Sequence, residues 1–325
     1  MKIIRPVLRL LMAASVAAGC AGAFAQADYP MRPVKIIVPF AAGGPADNYA
    51  RFIAQRLSTE LKQPFVVDDK PGAGSIIGTD LVAKSPADGY TLLMMSNTHT
   101  VNETLVPSKP FKLMDDFVGI APVNYSDLML VVHPSVPARN LAELIALAKS
   151  KPGKLNYASS GTGTPYHMAG ELFKHMAGVK ITHIPYKGSS GARTDVVGGQ
   201  VDMMFDAVTT MANMAKDGKV RGLATSGTTR NSITPDLPTV SEAGVPKYEA
   251  TIWLGLMAPK GTPPEIVNRL NAEIRKIVAQ ADVKSLWASQ GAVPMSMTVA
   301  EFQQYLREDI AKWANIVKIS GAKPD

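Results

Sequence analysis

Ser159–Ser160–Gly161–Thr162–Gly163–Thr164–Pro165–Tyr166–His167 is the stretch on which the reading of this chain turns. The apolar run Leu155–Asn156–Tyr157–Ala158 leads into it with strand character, and apolar residues at helical spacing over 168–176 lead out. Between strand and helix lie two glycines and four hydroxyl side chains. Two readings fit these residues. One is a glycine-rich strand-to-helix turn, capped by Thr164 with Pro165 in the first helical position. The other is an anion site, where free helix N-terminal N–H groups, the positive end of the helix dipole and hydroxyl donors converge with little bulk to keep a ligand away.

Similar turns recur outward from this stretch. Val34–Lys35–Ile36–Ile37–Val38–Pro39–Phe40 reads as a buried strand and runs into Ala41–Ala42–Gly43–Gly44–Pro45–Ala46–Asp47, with a helix expected over 48–61. Phe65–Val66–Val67 and Tyr90–Thr91–Leu92–Leu93–Met94–Met95 are further strands on either side of a helix over 76–84. The second of them ends at Ser96–Asn97–Thr98–His99–Thr100. This β-α-β-α-β order, with strands too apolar to be exposed on one face, predicts a parallel sheet covered on both sides. The runs 117–123 and 128–132 read as two strands crossing into a second region, with a helix over 141–149 capped by Asn140.

That region repeats the αβ logic. A strand over 181–186 ends at Lys187–Gly188–Ser189–Ser190–Gly191 before a helix over 192–197. A strand over 201–205 ends at Asp206, with a helix over 210–217 and a strand over 220–225 after it. An aromatic-bearing return over 249–259 and amphipathic helices over 263–280 and 299–317 complete the chain. The turns therefore gather at the carboxyl ends of strands, where open parallel sheets bind ligands. Two such sheets facing each other make an anion clamp, with hinge closure available from the crossing strands.

Length and composition bound the function. A chain of 325 residues that is 46% hydrophobic and 19% charged is globular, with room for two domains. The formal charge of +7 includes Lys2, Arg5 and Arg9 of an N-terminal leader, and the remaining basic residues are scattered. No basic stripe interleaved with aromatics marks a nucleic-acid partner. The leader has a basic start over 1–9, an apolar segment over 10–18 and Ala23–Phe24–Ala25 as a cleavage site, so 1–25 is expected to be a signal peptide. Cleavage there removes Cys20, the only cysteine, which suits export to the oxidising periplasm. A lipoprotein site at Cys20 is the alternative; Ala17, where such sites usually carry Leu, argues against it.

Enzyme motifs fare poorly. Tyr166 stands where a dinucleotide fingerprint needs its third glycine, and neither a P-loop nor a G-x-S-x-G elbow occurs. His167, Glu171 and His175 fall at i, i+4 and i+8, which places the histidines roughly 12 Å apart along a helix, too far to share one metal ion. Asp47 could act as a carboxylate base, or favour the helix dipole as an early-helix acid. Asp206 could accept from a ligand amine or hydroxyl, or simply end its strand. The 16 methionines read as core filler.

Several of these runs together resemble the Bug family, the TctC-like extracytoplasmic solute receptors of tripartite tricarboxylate transporters. They are Pro39–Phe40–Ala41–Ala42–Gly43–Gly44–Pro45–Ala46–Asp47 with Ala50–Arg51, Lys70–Pro71–Gly72–Ala73–Gly74–Ser75, and Asp88–Gly89–Tyr90–Thr91–Leu92–Leu93. Ser159 to Thr164 with His167, Ile184–Pro185–Tyr186–Lys187–Gly188, and Leu237–Pro238–Thr239–Val240–Ser241–Glu242–Ala243–Gly244 follow in the same order. The resemblance implies a type II-like periplasmic binding protein fold: two Rossmann-like α/β domains joined by crossing strands, with a ligand cleft between them. It also implies a ligand carboxylate held between the loops at Phe40 to Asp47 and Ser159 to Thr164, helped by water on the first-loop side. This chain departs from the family pattern at Ala42, where Pro is common, and at Pro45 and Ala46, where small or hydroxyl residues are frequent. The departures shift first-loop contacts toward backbone and water.

The expectation is thus a periplasmic receptor, not an enzyme, without cofactor or metal. It captures a small carboxylate (a dicarboxylate, tricarboxylate, acidic amino acid or aromatic acid) and, as a monomer, hands it to membrane transporter subunits. Residues 26–122 with 251–325 would form one domain and 123–250 the other. Phe40 would pack on the ligand, with Ala42, Gly43 and Gly44 offering backbone. Ser159, Thr162, Gly163 and Thr164 would hold carboxylate oxygens, and Tyr186 and Asp206 would read the distal end. Asp47, Ser96, Asn97, Ser160 and His167 complete the candidate set. An exported ligand sensor, or a secreted hydrolase using Asp47, His167 or Asp206 as base, are the alternatives.

Overall fold

A computed structural model describes residues 29–324. The leader, Cys20 and the cleavage site lie outside the described residues. The strands are β1 (Val34–Val38), β2 (Phe65–Asp69), β3 (Thr91–Ser96), β4 (Phe117–Val132), β5 (Asn156–Ser159), β6 (Thr182–Pro185), β7 (Met203–Ala207), β8 (Arg221–Thr225), β9 (Thr251–Pro259) and β10 (Ala292–Pro294). The helices are α1 (Pro45–Leu61), α2 (Ile76–Ala83), α3 (Asn97–Leu105), α4 (Leu113–Asp116), α5 (Leu141–Ser150), α6 (Pro165–Ala177), α7 (Ser189–Val197), α8 (Val208–Lys216), α9 (Pro264–Ala279), α10 (Ala281–Ser289) and α11 (Val299–Ser320).

One strand organises the molecule. The sequence reads 117–123 and 128–132 as two strands, but they are one 16-residue strand, β4. At about 3.3 Å per residue it is roughly 50 Å long, enough to belong to two sheets. Its first part pairs antiparallel with β9, from Phe117 to Asp127, and with β10. Its last five residues pair with β7 on one side, and residues from Met129 onward pair with β8 on the other. Pro122 is accommodated where the register with β9 shifts, because a proline cannot donate to the ladder.

The first lobe carries the order β2-β1-β3-β9-β4 and the second β4-β7-β5-β6, with β8 on the far side of β4. The pairings β1 with β2, β1 with β3, β5 with β6 and β5 with β7 are parallel, as the β-α-β order predicts. Both faces of the first sheet are buried. Ile36, Leu92, Met94 and Leu256 face α1 and α9, while Ile37, Leu93, Met95 and Met257 face Phe302 and Leu306 of α11. That two-sided burial is why these strands read as continuous apolar runs rather than as an alternation. The last helix serves both lobes: Phe302 and Leu306 belong to the first-lobe core, Trp313, Ile316 and Val317 to the second. Among the described residues, no helix is long and apolar enough to cross a membrane.

Candidate ligand-binding site

The two jaws of the cleft are built differently. In the first lobe, β1 ends at Val38 and the chain turns through Gly43 at φ +79°, a left-handed value that glycine adopts at little cost. Pro45 opens α1, and Gly44 caps it in an extended conformation with no side-chain hydrogen bond, so the first-turn N–H groups keep their donors. Asp47 is buried and accepts from the Gly43 N–H at 2.8 Å, while Arg51 Nε lies 2.6 Å from its other oxygen. Its carboxylate therefore folds the loop back onto its own helix. Next to it, Ser96 caps α3: its Oγ accepts from Thr98 N at 3.2 Å and its N–H donates to His99 Nδ1 at 3.2 Å. His99 Nε2 then donates to Thr79 Oγ1 at 2.9 Å, since the Thr79 hydroxyl is itself committed to the Ser75 carbonyl. Burial pulls the His99 imidazole down to about 4, so it is neutral at physiological pH. The Phe40 ring sits edge-on to His99, and Asn97 Nδ2 ties the start of α3 to the Thr251 carbonyl on β9 at 2.8 Å.

The second jaw follows β5. Gly161 at φ +124° and Gly163 at +75° bend the loop, and Thr164 caps α6. Three of the hydroxyl and imidazole candidates turn inward to hold this loop in shape. Ser159 Oγ accepts from Gly161 N at 3.1 Å and meets His183 Nε2 at 2.7 Å. Thr164 Oγ1 donates to Gly161 O at 2.6 Å, and His167 Nδ1 accepts from Gly163 N at 3.1 Å. His167 and His183 stack at 4.1 Å, and Tyr157 stacks on the other side of His183 at 4.9 Å. The Ser159–His183 pair resembles an activated nucleophile. However, Ser159 is fully buried and its oxygen is engaged with Gly161, so no substrate reaches it. Among the described residues, no group of three or more His, Cys, Asp or Glu is placed to hold a metal ion.

Between the jaws lies a small, partly open space of about 20 Å³, lined from both lobes and by the crossing strand β9. Of the residues singled out in the sequence, Phe40, Gly44, Ser96 and Ser160 line it. Thr98, Tyr166 and Ser189 line it as well, and were missed. Tyr186 sends its hydroxyl to Asp195 on α7 instead. Asp206 is fully buried; Oδ1 accepts from Ala207 N at 2.7 Å and Oδ2 lies 2.9 Å from Arg193 Nε. That second contact is an ion pair whose angle misses hydrogen-bond geometry. Burial pushes the Asp206 carboxyl up to about 6, with Arg193 opposing the shift.

Arg193 is the other residue missed. The sequence places no arginine in the loops themselves, but Arg193 sits one helical turn after Ser189 and points back to the cleft. Its Nη2 donates to Ser189 Oγ at 3.1 Å and, across the cleft, to the Gly43 carbonyl at 3.3 Å. Ser190 Oγ donates to the Ala42 carbonyl at 3.2 Å. The lobes are therefore closed on each other. A Cβ on Gly188 would come within 2.6 Å of the Ala41 Cβ, so this approach depends on glycine.

Two α/β lobes on a shared strand, closed over a space lined by helix starts and strand carboxyl ends, define a solute-binding receptor of the periplasmic-binding-protein fold. The chain belongs to the tripartite tricarboxylate transporter family receptors, TctC, whose family model matches residues 49–322. It is 38% identical over 308 residues to protein BugT of Bordetella pertussis, covering 94% of each chain. Among solved structures it resembles R. palustris Rpa4515 with adipate, at a TM-score of 0.89 and 35% identity, covering 92% of this chain and 100% of that one. It also resembles MatC from Rhodopseudomonas palustris with bound malate, at a TM-score of 0.85 and 31% identity, covering 89% of this chain and 100% of that one. The family is one of receptors, not enzymes, which removes the hydrolase alternative.

Proposed function

We propose that this protein captures a small carboxylated organic solute in the cleft between its lobes and delivers it to a tripartite tricarboxylate-type transporter. One observation carries the reading: the glycine turn at 40–44 with the start of α1, and Ser160 with the start of α6, line one space from opposite lobes, each at the carboxyl end of a strand. Adipate in Rpa4515 and malate in MatC support a carboxylate as the ligand. The jaws work as two domains, 26–122 with 251–325 and 123–250, that part and close about β4 and β9. The receptor acts as a monomer in the periplasm, after cleavage near Ala25.

A thermal-shift panel of dicarboxylates, tricarboxylates, acidic amino acids and aromatic acids tests this. A ligand bound only by the folded state at a hundred times its Kd adds about 2.7 kcal/mol of stability. At least one class is expected to raise Tm by several degrees. A flat response across all four classes sinks the carboxylate reading.

A further inference from the structure

Asp206 is a buried carboxylate that does not line the space between the jaws, so its place at the end of β7 needs another reason. It is fully buried within the second lobe, and Arg193 is the cation that opposes the cost of that burial. Arg193 lies four residues after Ser189 on α7, so the two side chains share one face of the helix. Ser189 lines the space between the jaws and Arg193 does not, although the arginine side chain is only 12% exposed. The arginine stands behind the site rather than in it.

Its guanidinium group joins three places at once. Nε lies 2.9 Å from Asp206 Oδ2, while Nη2 donates to Ser189 Oγ at 3.1 Å and to the Gly43 carbonyl of the first lobe at 3.3 Å. A guanidinium is planar and its N–H directions are fixed, so the hold on Asp206 decides where Nη2 points. Asp206 and Ser189 belong to the same lobe as Arg193, and their contacts do not need closure. The Gly43 bond does. Gly43 is also gripped from its own lobe, since its N–H donates to Asp47 Oδ2 at 2.8 Å. Arg193 therefore meets a loop that the first lobe already fixes. Beside it, Ser190 Oγ donates to the Ala42 carbonyl at 3.2 Å, a neutral bond. A bond from a charged donor is roughly twice as strong as a neutral one.

We propose that Arg193 is the latch of the closed receptor: a positioning residue, aimed by Asp206, that grips the first lobe at Gly43 and sets how long the cleft stays shut on its solute. The proposal rests on the reading of the cleft as a carboxylate site. Because the arginine is aimed before the lobes meet, closure adds a charged bond without having to order a free side chain. The bond forms after the solute has entered, so the latch governs release more than capture. Asp206 serves the arginine and not the solute.

Stopped-flow kinetics with adipate and malate as probes, together with spin-label distances, test this. The variant is Arg193→Met with Asp206→Asn, which removes the pair without leaving a buried charge unpaired. It is expected to release a bound probe about tenfold faster than the wild type, with the association rate within about twofold. Arg193→Lys keeps the charge and loses the planar fork, and should release about threefold faster. Residues 26–325 contain no cysteine, so Thr59→Cys on α1 and Asn213→Cys on α8, both exposed positions, place one label on each lobe. The short-distance, closed population should be smaller in the double variant than in the wild type, with probe or without. Release within about twofold of wild type, or a loss confined to the association rate, overturns the latch. If neither probe binds, that counts against the carboxylate reading and not against the latch, which the ligand-free distances then decide: equal distances in the two proteins overturn it.

Discussion

At the scale of single residues, the charges near the cleft are mostly answered by the protein itself. Asp47 is occupied by Gly43 and Arg51, Asp206 by Ala207 and Arg193, so neither carboxylate is left over for a ligand. Asp206 makes a pH prediction. Its folded pKa, about 6, lies above the ordinary carboxyl value of 3.8. An acid raised in the fold contributes stability that is full below its unfolded pKa and lost as pH rises through the folded one. Asp206→Asn should therefore flatten the decline in stability between about pH 4 and 6, a term of about 3 kcal/mol over the window. Urea melts of both proteins at intervals across that range measure it, and parallel curves would show that Asp206 is not raised. Arg193, by contrast, is not legible in the loop sequence, because it lies one helical turn beyond the turn and reaches the cleft only by pointing back along α7. The same limit hid the inward aim of Ser159, Thr164 and His167. Their types suit ligand contact and loop support equally, and only their partners separate the two.

At the scale of elements, helix starts carry the site and their caps carry its shape. Asp47 sits in the first turn of α1 and closes the 40–44 loop without lining the space between the jaws. Asp47→Ala should cost about 1–2 kcal/mol, in the range of a lost helix-start hydrogen bond. It should also weaken ligand binding, since Gly43 and Gly44 are no longer held. Denaturant melts and titration read the two effects. Wild-type affinity in the variant would mean that the loop is fixed by Pro45 and the β1 end alone. Ser96→Ala removes the α3 cap and should cost about 1 kcal/mol by the same logic. The β-α-β-α-β opening and the strand-end turns were legible because apolar run length and glycine position are local properties. The continuity of β4 was not. Asn124, Ser126 and Asp127 look like a break, and the strand survives there because β9 and β10, from far along the chain, supply its partners.

For the whole molecule, the closed contact between lobes is the measurable state. Gly188 meets Ala41 only when the jaws are shut, and its own φ of 175° is open to any residue. Gly188→Ala should therefore leave the ligand-free melt within a degree or two of wild type and still lower ligand affinity about tenfold, since closure is what the added methyl obstructs. Small-angle scattering should show the variant staying wider in saturating ligand than the wild type. Equal compaction and equal affinity would mean that the Ala41 loop yields instead. The two-lobed plan was legible from the order of strands and turns. The joins between its ends were not, because contacts such as Thr100 Oγ1 with Asp309 Oδ2, at 2.5 Å, link residues with no shared sequence pattern.

The last helix ties the stability of the two lobes together. Trp313, Ile316 and Val317 complete the hydrophobic interior of the second lobe, while Phe302 and Leu306 complete that of the first. Detaching this one helix would open both interiors at once, so the lobes share a single cooperative unit through it.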